Sequence, residues 1–152
     1  MHISFALFAD AANLSQEGKL NILGVFDTVQ VGALPAIHPR ANLVVRLKGN
    51  RADAGTHTLM LRWTNPRGEE LWSSAGELSI APPPPGVTEM DFPLIAAIDL
   101  PIDQAGAFRM SIDLDASTKV ELPVQVRAAG TSGGGPPTGP GSPIMPGARM
   151  VS

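Results

Sequence analysis

Cysteine and tyrosine are missing from this 152-residue chain, histidine occurs three times, and aromatic residues make up only 5% of it. Without cysteine there can be no disulfide, zinc–thiolate site or thiol nucleophile, and the composition suits a reducing cytoplasm. With two tryptophans and no tyrosine, a sugar-binding site would have too few exposed rings to stack on. Charge is also sparse: 16% of residues are charged and the formal net charge is −3. A nucleic-acid binder needs a basic stripe that displaces counterions from phosphates, and this chain has none. No run approaches the roughly 20 apolar residues of a membrane-spanning helix. The apolar stretch Ile3–Ala9 is preceded only by Met1 and His2, not by the Lys or Arg of a signal peptide, and reads as a retained first strand. Neither nucleic acid nor membrane is expected as a partner.

What remains is alternation. Leu43, Val45 and Leu47 alternate with Asn42, Arg46 and Lys48, and His57, Leu59, Leu61 and Trp63 share one parity. Phe108, Met110, Ile112 and Leu114 do the same, as do Val120, Leu122, Val124 and Val126. Period two with turn clusters between the runs is the mark of half-buried strands. In Asn65-Pro66-Arg67-Gly68 the proline suits the second turn position and the glycine the last, which joins the strand ending at Thr64 to Glu70–Ile80, a run with Gly76 inside it. Gly18–Val31 is apolar on both parities, so it is expected to be one strand covered on both faces, bending at Gly24 between two layers. Pro93 and Pro123 each remove a ladder donor, which points to sheet edges or bulges. Leu34–Pro39, with two prolines, reads as a rigid crossing. About eight strands and no helix argue an all-β fold, an antiparallel β-sandwich, with a closed barrel as the competing architecture.

The composition changes near the end. Residues 1–128 read as the sandwich domain, and 129–152 as a flexible, disordered Gly/Pro-rich tail without an acidic residue. Its last stretch regains apolar character in Ile144, Met145, Met150 and Val151, which suits a docking peptide on a tether; the plain alternative is a fraying terminus.

Catalytic constellations are thin. His2, His38 and His57 have no Gly-x-Ser-x-Gly elbow to accompany them, and His57 falls on the inward parity, where a satisfied core or rim histidine is a commoner occupant than a base. Gly18-Lys19 is followed by Leu20 rather than Ser or Thr, so the phosphate-loop pattern fails, and no cofactor is implied. His38 and Arg40 form a loop tripeptide with Pro39 that suits gripping an anion. Asp99, Asp103, Asp113 and Asp115 fall near strand ends, where sandwich loops gather carboxylates around calcium, although no Asp-x-Asp-x-Asp-Gly loop is present. Arg40, Arg46, Lys48 and Arg51 make a modest basic cluster, read as a solvated strand whose charges block edge pairing.

The segment Gly18-Lys-Leu-Asn-Ile-Leu-Gly-Val-Phe-Asp27, with Pro35-Ala-Ile-His-Pro-Arg40 leading into Leu43-Val-Val-Arg-Leu47, resembles a family of small bacterial proteins known only as a domain of unknown function. The resemblance runs to about Arg127 and implies a cytoplasmic β-sandwich with no catalytic residues to carry over. The expected function is a non-enzymatic interaction or assembly module, binding another protein or a second copy of itself through edge strands or the tail. The alternative is a ligand- or ion-binding sandwich using His38 and Arg40, or Asp113 and Asp115.

Overall fold

The structure is a computed structural model and describes residues 1–129. Nine strands run in order: β1 (His2–Leu14), β2 (Leu20–Phe26), β3 (Thr28–Val31), β4 (Ala36–Asn50), β5 (Gly55–Thr64), β6 (Glu70–Ile80), β7 (Glu89–Ile102), β8 (Gly106–Leu114) and β9 (Thr118–Ala128). One 3₁₀ turn, Arg51–Asp53, links β4 to β5; Asn50 caps it and Asp53 reaches back to the Asn50 amide. The strands form two sheets, ordered β2-β1-β4-β7 and β3-β9-β8-β5-β6. All pairings are antiparallel except the short β3–β9 ladder.

The alternation translates directly into the core. Leu43, Val45 and Leu47 from one sheet meet Trp63, Phe108, Met110, Ile112 and Leu114 from the other, all at 1% exposure or less. Burying a side chain of this size contributes roughly 1.5–3 kcal/mol, so these positions specify the packing. Trp63 lies at the centre. It stacks on Phe108 at 5.1 Å, meets Phe8 edge-on at 6.3 Å, and donates its indole N–H to the Pro101 carbonyl at 2.8 Å. Asn65, at 4% exposure, is the buried polar group of the β5–β6 turn. Its side-chain oxygen accepts from the Arg67 and Glu69 amides, and its Nδ2 donates to Asp103 at 2.8 Å.

The reading of Gly18–Val31 as one doubly covered strand is wrong. The segment is two strands in different sheets, and the chain changes sheets at Asp27 rather than at Gly24. β2 is an edge strand that leaves Leu23 69% and Val25 61% exposed, so hydrophobicity on both parities reflects one buried and one solvent-facing apolar row. Gly24 instead takes φ +72° opposite Asp10, whose Cγ would lie 2.9 Å from an added Cβ. The Leu34–Pro39 crossing is also shorter than expected. β4 begins at Ala36 and absorbs Pro39 in a register shift between His38 and Ala41, where Arg40 has φ 53°. The Leu34–Pro35 bond is cis.

Pro93 lies on β7, an edge strand. Pro123 lies on β9, which is one strand in from the edge, but β3 covers only Gln125–Ala128. The Gln125 amide donates outward to Asp27 at 2.8 Å, so the nitrogen two residues back, that of Pro123, faces the uncovered flank where no donor is needed. The tail residues 130–152, with Ile144, Met145, Met150 and Val151, lie outside the described residues.

Replacing Trp63 with Phe keeps an aromatic ring but leaves the part-buried Pro101 carbonyl without its donor. Urea unfolding is expected to show a loss of about 1–3 kcal/mol with an unchanged slope.

Candidate functional site

Four strands lie at sheet edges: β2, β7, β3 and β6. An edge strand presents unpaired N–H and C=O groups, and proteins usually blunt it with shortness, proline, charge or a break in the pleat. β3 has four residues. β7 carries Pro93 and Pro101 and the carboxylates of Glu89, Asp91 and Asp99. β2 is broken at its midpoint by the left-handed Gly24. β6 is the least guarded of the four: its carboxylates are Glu70 and Glu77 and its one register shift is at Leu71, near its start, so the stretch from Trp72 to Ile80 is regular. It runs for 11 residues without proline, lysine or a positive φ, and Ser73, Ser74, Ala75, Gly76 and Glu77 are exposed on both faces.

Hydrogen-bond geometry shows which groups of β6 face outward. The Thr58 carbonyl accepts from the Asp115 amide at 2.8 Å, and the Thr58 amide donates to the Asp115 carboxylate at 2.8 Å, so the polar backbone of Thr58 faces β8. Its neighbours His57, Leu59 and Leu61 therefore face β6, opposite Leu78, Gly76 and Ser74. The alternate residues Ser73, Ala75 and Glu77 are left with both backbone groups directed at the open edge.

A second cluster closes the far end of β5. His57 Nδ1 lies 2.5 Å from Asp115 Oδ2, and its Nε2 lies 2.5 Å from the Asp53 carbonyl. Asp53 in turn accepts from the Met1 ammonium at 2.7 Å. Both ring nitrogens face acceptors, so the imidazole is held as a two-donor cation. The bond to Asp115 and then that to the Asp53 carbonyl hold the His57 pKa above its ordinary value, against a smaller opposing effect of burial. The Asp115 pKa is lowered by His57 and by the Thr58 amide. The Asp53 pKa is lowered by the terminal ammonium and by the Asn50 amide.

The other anticipated residues do not converge. His38 is half-buried and packs on Phe26 at 5.3 Å, while the Arg40 amide donates to Asp99 at 2.9 Å. Both sit in the β4 register shift rather than in a free loop. Asp113 faces Arg62 at 4.0 Å, and both oxygens of Asp115 are already engaged. Among the described residues, no group of three or more His, Cys, Asp or Glu side chains is placed to hold a metal ion. The basic cluster does not guard an edge, because β4 lies between β1 and β7. Arg46 pairs with Asp91, Lys48 with Glu89 at 3.5 Å, and Arg51 donates to the Pro84 carbonyl.

Among the described residues, two apolar clefts lie away from the His57 cluster. One of about 330 Å³ lies between Ala6–Phe8, Val25–Asp27 and Leu122–Pro123. The other, of about 580 Å³, is formed by Pro35–Ile37, Leu71 and Pro101–Asp103. Neither contains a histidine. Sequence reasoning missed the β6 edge, although its signal was visible as a run from Glu70 to Ile80 free of proline and lysine. It also missed the His57–Asp115 contact, which joins residues 58 positions apart.

Among the described residues, these features define an all-β sandwich whose β6 edge is the least guarded. The chain belongs to DUF6941, a family of unknown function, whose sequence profile matches residues 4–127. A search of curated proteins finds no match.

The His57 cluster gives stability a definite pH dependence. A raised histidine pKa adds stability below its ordinary value of 6.5, and that stability is lost as pH rises through the raised value. The lowered Asp53 and Asp115 pKa values add stability above 3.8 that is lost as pH falls. The melting temperature is expected to be highest between these limits, and His57→Gln is expected to flatten the alkaline side of the profile. An unchanged alkaline limb in the variant would refute the assignment.

Proposed function

We propose that this protein is a non-enzymatic interaction module of the cytoplasm that takes an extended segment of another polypeptide along β6. The observation that carries this reading is the contrast among the four edges. Three are blunted, whereas β6 offers the backbone groups of Ser73, Ala75 and Glu77 without obstruction. Main-chain ladder bonds supply affinity for such a segment, and the half-buried Leu71, Trp72 and Leu78 flank them with apolar contacts. Leu23 and Val25 add an exposed apolar row on the opposite side of the sandwich.

The arrangement of the histidines supports the non-enzymatic part. A general base needs a free ring nitrogen, and both nitrogens of His57 are engaged. The alternative, ligand or ion binding, is weakened at Asp113 and Asp115, which pair with Arg62 and with His57 and the Thr58 amide, and at His38 and Arg40 it has only a ring packed on Phe26 beside an exposed arginine.

The test is affinity capture from the native cell with wild-type protein and with Ala75→Pro. The proline removes an outward donor and spares the ladder to β5, so far-UV circular dichroism and the melting temperature are expected to stay close to wild type. Proteins captured by the wild type, further copies of the chain included, are expected to be depleted at least tenfold by the variant. Identical capture would sink the proposal.

A further inference from the structure

We infer that the occupant of the β6 edge is the β6 edge of a second copy, paired antiparallel about a two-fold axis through Ala75. This rests on the reading of β6 given above and names its partner.

β6 is regular from Trp72 to Ile80, beyond the register shift at Leu71, and a two-fold at Ala75 pairs the stretch from Trp72 to Leu78. Ala75 is also one of the outward-facing residues, as a hydrogen-bonded pair on the axis requires. Ala75 then exchanges both bonds with its own copy, and Ser73 exchanges both with Glu77 of the second copy. The side chains agree with this register. Glu77, the carboxylate of the regular stretch, meets Ser73, so no like charges stand opposite each other there. Trp72, half-buried in the single chain, meets Leu78, also half-buried, and the symmetry repeats this contact on the other side of the axis. Centring the axis on Glu77 would set two carboxylates face to face, and centring it on Ser73 would leave the end of the strand unpaired.

Gly76 adds an independent observation. It lies in mid-strand, where glycine weakens pairing, yet its φ is not in the left-handed range and an added Cβ would meet nothing within 4 Å. Nothing among the described residues calls for a glycine there. In the paired register Gly76 lies opposite Ser74 in a non-hydrogen-bonded pair, the closer of the two antiparallel spacings, at about 4.5 Å between Cα atoms. Small residues at both positions let the two backbones approach.

The absence of cysteine makes the test clean. Full-length protein is studied by sedimentation and light scattering from about 1 μM to about 1 mM, the range of transient affinities. The mass is expected to rise with concentration from 15.8 kDa toward twice that value, and Ala75→Pro is expected to stay at 15.8 kDa with wild-type circular dichroism. Register is read by single cysteines. Across the axis, Ala75→Cys places two Cα atoms about 5.5 Å apart, within disulfide range. Ser79→Cys places them roughly 27 Å apart. Mild oxidation is expected to crosslink the first variant at least tenfold more than the second. A wild type that stays at 15.8 kDa throughout, or equal crosslinking of the two variants, overturns the two-fold pairing. If the wild type stays monomeric while Ala75→Pro still loses captured proteins, the second copy is wrong as the partner but β6 remains the docking edge.

Discussion

Every strand at the rim of a sheet leaves half of its backbone donors and acceptors without a protein partner, and the two sheets of this molecule must dispose of four such rims. The chain handles them by different means. β3 is kept to four residues, β7 is loaded with proline and carboxylates, and β2 is broken at Gly24. β6 is left long, with small residues from Ser73 to Gly76. This uneven treatment singles out β6. The cost of guarding an edge is a single residue, and the other three edges show that this chain has the means.

The fold was legible because a sandwich is written in short-range periodicity. Phe108, Met110, Ile112 and Leu114 can be assigned to one face from spacing alone, and all four are buried at 1% exposure or less. Periodicity failed at Gly18–Val31 for a physical reason. An apolar side chain at every position implies two covered faces only if both faces have a neighbouring layer, and β2 has one on a single side. Leu23 and Val25 are therefore exposed, a fact that depends on where β4 and β7 lie and cannot be read within the segment itself. The change of sheet at Asp27 was hidden similarly, since it depends on pairing with Gln125 at the other end of the chain.

The candidate site was less legible than the fold. His57 was assigned to the inward parity, as core or rim, but its partner Asp115 lies in the β8–β9 turn, and only the β5–β8 register brings the two together. Asp113 and Asp115 look alike in sequence as carboxylates beside a turn. The structure separates them: Asp115, with φ 53°, turns its carboxylate onto His57 and the Thr58 amide, while Asp113 faces Arg62. His38 and Arg40 looked like a free loop because prolines flank them, yet a register shift lets β4 continue through Pro39.

The features around β5 explain why β6 can be both exposed and ordered. Among the described residues β6 pairs with β5 alone, so its position is set by that strand. β5 is fixed at one end by Trp63, stacked on Phe108 and bonded to Pro101, and at the other by His57, held between Asp115 and Asp53. The turn into β6 is fixed by Asn65, whose side chain is bonded at both its oxygen and its nitrogen. A partner strand that meets an edge held in this way orders little of the sandwich on binding. The entropic cost of association then falls on the incoming strand, and where that strand is another equally ordered β6 the cost is lower still. Rigid support behind a free backbone edge is what allows ladder bonds, individually worth about 1 kcal/mol, to add up to association.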